Sequence, residues 1–271
     1  MKHLINTEWL KIKKYRAFWW MTGIIMLSYP GVNYLFYNVY QEVTGKEGEG
    51  GELAKMLLGN PFTFPEVWHT AAFFSSFFII IPSIIVIMFI TNEYSYKTHR
   101  QNIIDGWSRK EFMTSKMIDV LIISLLITIV YFVVALAIGL INNKAANGEV
   151  WQQSKYIGLF ALQTFSQLSI AFLIAFLARK AFIALGIFLF YFLILEPVLV
   201  GIAKFKANDI GRFMPLEISD RMIPIPAFLG RIDREAYQKS LEAMNTHIVY
   251  TLILVGVTWG LCYWLNNRRD L

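Results

Sequence analysis

The sequence predicts an all-α membrane protein of six transmembrane helices, with an amphipathic interfacial helix ahead of the bundle and a short cytoplasmic helix between the second and third spans. Three observations carry that expectation. Apolar side chains make up 56% of the 271 residues and charged ones only 16%, where a water-soluble domain carries roughly a quarter. Six stretches, residues 17–37, 71–91, 118–141, 156–178, 181–203 and 247–265, each supply the about 20 mainly apolar residues that a helix needs to cross hydrocarbon. Lysine and arginine are concentrated on alternate connections. The side that holds both termini, residues 92–116 and the pair Arg179-Lys180 is strongly net positive, and the other side is close to neutral. The positive-inside rule makes that positive side cytoplasmic. The basic pI then reflects topology and anionic lipid, not nucleic-acid binding. Residues 1–271 form one transmembrane domain with no sizeable soluble part.

Within residues 1–16, Leu4, Ile5, Trp9 and Ile12 fall on one helical arc while Lys2, Lys13 and Lys14 lie outside it, the pattern of a helix lying in the interface. Glu8 and Leu10 break the pattern. The long charged stretch ahead of the first apolar run, and its ending in Tyr34, Phe36 and Tyr37, mark a retained span in place of a cleavable signal. Pro30-Gly31 in the first span and Pro82 in the second predict kinks. Between these spans the glycine-rich residues 45–51 do not pack, and residues 52–58 read as a short helix ended by Gly59-Asn60-Pro61. Phe62, Phe64 and Trp68 then suit an aromatic belt at the outer interface.

Residues 91–116 are the most informative part of the chain. Ionised side chains cost on the order of 3 kcal/mol or more at the bilayer centre, so this polar loop sits in water at a membrane face. Ser95 to Asp105 reads as a short polar helix and Gly106 as its C-terminal stop. Ser108 with Glu111 is a capping box that starts a second helix, which runs without interruption into the third span. A push on this loop is thereby delivered to a membrane-spanning rod.

Deeper in the membrane, Gln163, Ser166 and Gln167 share one face of the fourth span by their spacing of three and four. Such groups serve first as hydrogen-bonding contacts to a neighbouring helix, and second as a stripe along a transport path. Glu196, followed by Pro197, is a carboxylate deep within a span and needs a partner, a proton or water. A structural or interfacial role comes first for it, a place on a transport path or at a subunit contact second. Residues 204–246 form the largest outer segment, interrupted by Pro215, Pro224 and Pro226. Its apolar patch, residues 222–229, either dips back into the membrane as a lid or lies as a surface loop, and residues 233–245 read as a short amphipathic helix. Catalytic signatures are missing. There is no GxxxxGK[ST] and no HExxH, His3, His69, His99 and His247 are scattered over both faces, and Cys262 reads as a small apolar group. The sequence assigns no catalytic residue, no metal site and no bound cofactor to this chain.

Phe64-Pro65-Glu66-Val67-Trp68-His69, Thr91-Asn92-Glu93-Tyr94-Ser95-Tyr96-Lys97-Thr98, Arg100-Gln101-Asn102-Ile103-Ile104-Asp105-Gly106, Ser108-Arg109, Lys116 and the opening Glu8-Trp9-Leu10-Lys11 together resemble the permease subunits of type-2 ABC exporters. The likeness is to the small six-span bacterial permeases typical of Bacteroidetes-like genomes. It implies a multi-pass protein of the bacterial inner membrane with both termini cytoplasmic. It further implies a second permease, as homo- or heterodimer, and two separate ABC ATPase subunits that hold the ATP and Mg. The helix before Gly106 is then the coupling helix, seated in a cleft of the ATPase, with the amphipathic N-terminal helix beside it. Glu93 sits at the cytoplasmic membrane boundary, Thr98 and Arg100 shape the coupling helix, Ser108 caps the next one, and Arg109 binds a carboxylate or a lipid phosphate. Gln163, Ser166, Gln167 and Glu196 are the residues for a pathway or interface. The alternative function is an ATPase-linked membrane anchor that passes ATP-driven motion to an extracytoplasmic partner without net transport.

Overall fold

A computed structural model describes residue 13 and residues 16–45, 49–104, 106–142, 150–206, 209–231 and 233–268, and every regular element among them is helical. The expected interfacial helix of residues 1–16 lies outside the described residues, save Lys13 and Arg16. The chain opens with α1 (Arg16–Thr44), followed by α2 (Glu49–Leu58), α3 (Val67–Ser76), α4 (Ile80–Ser95), α5 (Thr98–Ile104), α6 (Arg109–Asn142) and α7 (Lys155–Ala178). A fifth long rod is composite. It consists of α8 (Ala181–Phe190), a π-helical stretch Tyr191–Leu195 and α9 (Glu196–Phe205). A 3-10 turn Asp209–Phe213, α10 (Pro215–Asp220), α11 (Ala227–Gly230) and α12 (Arg234–Arg268) complete it.

Four of these rods are long and apolar enough to cross a membrane: α6, α7, the α8–α9 rod and α12. The bent pair α3–α4 makes a fifth if counted as one span. α1 has the length, at 29 residues, and no charge between Arg16 and Glu42. Its tryptophans, tyrosines and Asn33 leave it less apolar than the others. The axis of the bundle is α7, whose apolar window is 72% buried against 22% for both the α8–α9 rod and α12. It packs against α3, α4, α6, α8, α10 and α12.

The breaks have local causes. α3 and α4 meet at a 50° bend, one turn ahead of Pro82. A continuous helix would need the Pro82 nitrogen to donate to the Phe78 carbonyl, which proline cannot do; in the first turn of a new helix the same proline is tolerated. Pro197 makes the same demand on Leu193, and the rod answers with its π-helical stretch over Tyr191–Leu195. Pro30, in contrast, lies inside an uninterrupted α1. α7 stops where Arg179 turns left-handed at φ 56°, and α8 begins after the extended Lys180.

Four expectations are corrected. The cytoplasmic helix is shorter than residues 95–105, because α4 persists to Ser95 and Lys97 takes φ 55° before α5 starts at Thr98. Residues 233–245 are not a separate helix but the first turns of the 35-residue α12; the Asp233 carboxylate caps it by accepting the Ala236 N–H at 3.0 Å, and no Gly or Pro interrupts it before the span. Trp68 is fully buried and Phe62 nearly so, so they pack inward and not into an outer belt. The piece of the outer segment that inserts into the bundle is α10 with Met222 and Ile223, both buried, whereas residues 227–230 form a one-turn helix beside α2.

Gly139 of α6 faces the Phe64 ring so closely that a Cβ there would overlap it, while Gly158 of α7 has open space. Gly139→Ala is expected to destabilise the purified protein by about 1–3 kcal/mol through overpacking, with Gly158→Ala close to neutral. Thermal unfolding followed by fluorescence size exclusion checks the pair, and equal midpoints would show that the Phe64 contact is not closed in solution.

Candidate functional site

The elbow between α4 and α6 is built by backbone hydrogen bonding at three helix ends. At the C-terminus of α4 the Glu93 carbonyl has lost its helical partner, and Thr98 Oγ1 (3.4 Å) and the His99 imidazole Nδ1 (3.2 Å) reach it from α5. The His99 ring also lies against Tyr94, 4.6 Å between centroids, and the Arg179 guanidinium sits over the other side of the connection at 5.3 Å from the Tyr94 ring. At the far end of α5, Trp107 N–H donates to the Asn102 carbonyl at 3.0 Å. With Gly106 at φ +97°, this is the six-to-one bond of a Schellman stop. The next helix starts on a reciprocal capping box: Glu111 Oε2 accepts both the Ser108 N–H and its hydroxyl at 2.8 Å, and Ser108 Oγ accepts the Glu111 N–H at 3.2 Å. The expected roles of Gly106 and Ser108 in shaping the turn are both present. Arg100 lies on α5, and its side chain is outside the described residues.

Below the elbow sits a buried ionic cluster. Lys116 of α6 donates to Glu93 Oε1 of α4 at 2.7 Å and to Asp119 Oδ2 at 3.3 Å, all three side chains being at most 6% exposed. The ammonium also lies 5.3 Å from the Phe89 ring and 5.5 Å from that of Phe112. Ion pairs so buried add little net stability, yet breaking one by removing a single partner is costly. The cluster therefore fixes the relative position of α4 and α6 and tolerates little departure from it. Sequence reasoning placed Glu93 near the boundary and missed Lys116 and Asp119. The available signal was the i, i+3 Lys–Asp spacing at the start of a span whose neighbour ends in a carboxylate.

Arg109 sits next to this cluster with a partner the sequence did not suggest. Its Nη1 donates to the Asn267 (2.8 Å) and Asn266 (3.4 Å) carbonyls at the end of α12, and Asn266 returns a bond from its amide to the Arg109 carbonyl at 2.8 Å. A cation on the last carbonyls of a helix is favourable, and Thr114 adds a 2.8 Å bond to the Tyr263 hydroxyl. The elbow is thus tied to α12 as well as to α4.

The polar face of α7 makes a second site. Gln163 and Gln167 both donate to Asp220 Oδ1, at 2.8 and 2.6 Å, and Gln167 reaches Ser219 Oγ at 3.1 Å. Ser166 is buried with its hydroxyl unbonded. Glu196 Oε1 accepts the Glu217 N–H at 2.7 Å, so the carboxylate of the α8–α9 rod answers an orphan donor in the first turn of α10. Arg221 bonds Asp209 (2.7 and 2.9 Å) and Glu217 (2.8 Å), and holds the Asp209 carboxyl below its ordinary range. Thr251 of α12 approaches the Ile218 carbonyl at 3.5 Å. Four polar residues assigned from sequence therefore divide by role: Gln163, Gln167 and Glu196 grip α10 from opposite ends, and Ser166 does not join them. Asp220 was missed because an acid in an outer connection looks solvated until the connection is known to fold inward.

The outer end of α3 is anchored. Tyr131 of α6 donates to the Trp68 carbonyl at 2.7 Å, Trp68 Nε1 to the Val150 carbonyl at 2.7 Å, Gln153 to Glu66 at 2.6 Å, and His69 Nε2 to the Pro224 carbonyl at 2.7 Å. His69 stacks on Tyr156 at 4.1 Å. Among the described residues no group of His, Cys, Asp and Glu could hold a metal.

Helical rods around one buried axis, four or five of them long and apolar enough to cross a membrane, define an all-helical membrane protein. Residues 4–195 match the family model described as ABC-2 family transporter protein. The match covers more than half of the chain, which therefore belongs to that family and is a permease subunit of an ABC transporter. A search of curated proteins returns no match.

Lys116→Met leaves two buried carboxylates without their cation and is expected to cost about 3–5 kcal/mol. The triple neutral variant Glu93→Gln, Lys116→Met, Asp119→Asn is expected to recover most of that loss. Thermal unfolding checks both. A triple variant no better than Lys116→Met alone would mean that Lys116 stabilises by packing and not by charge.

Proposed function

We propose that this permease couples ATP hydrolysis by a separate ABC ATPase subunit, which holds the ATP and Mg, to export across the bacterial inner membrane. In this reading α1, α3–α4, α6, α7, α8–α9 and α12 are the six spans, both termini are cytoplasmic, and two permeases pair above two ATPases. The observation that carries it is the surface of the elbow. Tyr96, which caps α4 just ahead of the seven-residue α5, and Ile104, the last residue of α5, stand 77% and 79% exposed, on the net-positive side of the chain. Apolar groups so displayed on a polar turn suit a cleft in a soluble partner.

The mechanism follows from what α5 is attached to. Closure of the ATPases pushes on α5. The Schellman stop and capping box pass the push to α6, and the Glu93 carbonyl contacts with the Lys116 pair pass it to α4. α4 moves against α3 at the bend over residues 77–79, because α3 is held at the outer face by Tyr131, Gln153 and the Pro224 carbonyl. The tilt of α4 and α6 opens the path between the two permeases.

The test is reconstitution with the partner ATPase in proteoliposomes. Tyr96→Ala with Ile104→Ala is expected to weaken ATPase association by about tenfold, equivalent to about 1.4 kcal/mol. Gly106→Val, which forces a β-branched residue into φ +97°, is expected to keep the complex but lose ATP-driven transport and ATPase stimulation together. Full coupled transport in Gly106→Val would overturn the elbow as the force receiver. Intact coupling with no cargo moved in the wild type would favour an ATPase-linked anchor.

A further inference from the structure

The chain carries one exposed carboxylate, gripped by two buried amides, that has no cation among the described residues. On the reading of α7 as a spanning helix, Gln163 and Gln167 lie about 12 and 18 Å along the axis from Lys155 at its outer end, either side of the bilayer midplane at about 15 Å. Both amides donate to one oxygen of Asp220, which places that carboxylate at the same depth. Asp220 is nevertheless exposed at the molecular surface. Its open side lies at the seam where α10 packs against α7. The adjacent cation is already committed, since Arg221 bonds Asp209 and Glu217, and no described cation is within ion-pair distance of Asp220. A bare carboxylate facing lipid at this depth is strongly disfavoured.

The groups behind Asp220 want the same thing it does. Gln163 and Gln167 are each 1% exposed, and their Nε2 groups are used on Asp220 while their Oε1 atoms have no donor. Ser166, on the same face and equally buried, is also unbonded. An amide oxygen lies about 2.3 Å from its own nitrogen by ordinary covalent geometry, so both orphan acceptors sit beside the carboxylate. Buried acceptors without donors carry a desolvation cost. An anion with neutral oxygens around it is the donor set for a cation.

We propose that the seam at Asp220, between α7 and α10, binds a cation on the transport path, with the Asp220 carboxylate as the charged contact and the Gln163 and Gln167 amides holding it in place. The inference rests on the permease reading and names the chemistry of what enters the path. A cargo amine and a monovalent metal ion share that chemistry.

Binding is measured on the purified permease in lipid nanodiscs, without the ATPase, by calorimetric titration against empty discs. Its failure is thus separate from failure of the coupling experiment. The probes are n-octylammonium, sodium, potassium and, as the anionic control, n-octyl sulfate. Asp220→Asn keeps an oxygen for both amides and removes the charge, while Asp220→Glu keeps the charge. Saturable octylammonium binding, weakened about tenfold or more in Asp220→Asn and retained in Asp220→Glu, supports a cargo amine. The same pattern with sodium or potassium supports a coupling metal ion. No saturable cation binding, equal binding by Asp220→Asn, or octyl sulfate binding as well as octylammonium overturns the proposal. A change in dimerisation of Asp220→Asn without a change in cation binding overturns it also, and assigns the open side of Asp220 to the second permease.

Discussion

An ammonium group sealed between two helices at the end of a bundle has to be answered by carboxylates, and Lys116 is answered from two directions. Asp119 comes from its own helix, one turn on, and holds the ammonium in place. Glu93 comes from α4 and makes the contact tertiary at 2.7 Å. The aromatic rings of Phe89 and Phe112 close the site against water, which strengthens the pairing and raises the cost of leaving it incomplete. The arrangement of the elbow follows from this pairing. The Glu93 carbonyl that receives Thr98 and His99 belongs to the residue whose side chain holds Lys116, so backbone and side chain of one residue locate both α5 and α6.

The other end of the bundle is held by a different logic, with carboxylates answered by amides and backbone N–H groups as well as by Arg221. α10 has only six residues, too few to be stable alone, and both its ends are satisfied by other elements. Glu196 accepts a donor at its start, and Gln163 and Gln167 donate to the carboxylate at its finish. Its apolar side, Leu216 and Ile218, is buried. A segment too short to hold itself is kept inside the bundle by side chains placed on long helices elsewhere in the sequence. The same residues, read as a stripe of amides and one isolated acid, look like a pathway lining. On the proposed cation site the amides serve both purposes, because gripping α10 is what presents Asp220.

What could be read from the sequence divides along the line between local and tertiary causes. The Schellman stop at Gly106 and the box of Ser108 and Glu111 were legible, since they depend on residue types at fixed short spacings and on nothing else. The apolar rods were legible for the same reason. Trp68 was misplaced because an aromatic next to a span suits an interface or a core equally, and only the Val150 carbonyl and the Phe132 and Trp151 rings around it decide for the core. α12 was split in two because its polar first turns carry the composition of a loop; a helix does not end where polarity changes, only where a breaker or a cap stands. Lys116 was counted as a cytoplasmic charge, and Asp220 as an outer one, because a single sequence does not show which charges face each other.

The rod α6 connects these two regimes and gives the bend between α3 and α4 its meaning. At 34 residues it is about 51 Å long, which is well beyond a hydrocarbon core of about 30 Å. It is pinned to α4 at one end by Lys116, and in its other half to α3 by the Tyr131 hydroxyl and to the turn leading into α3 by Phe64 against Gly139. The break in the second span lies between those two pins. If α3 and α4 were one straight helix, two pins to a common partner would lock the pair as a rigid block, and a push at α5 would only translate it. With the break in place, the pinned ends hold their partners while the angle between them remains free to change. On the proposed coupling, the break just ahead of Pro82 is where a displacement of α5 becomes a change in the angle between α3 and α4.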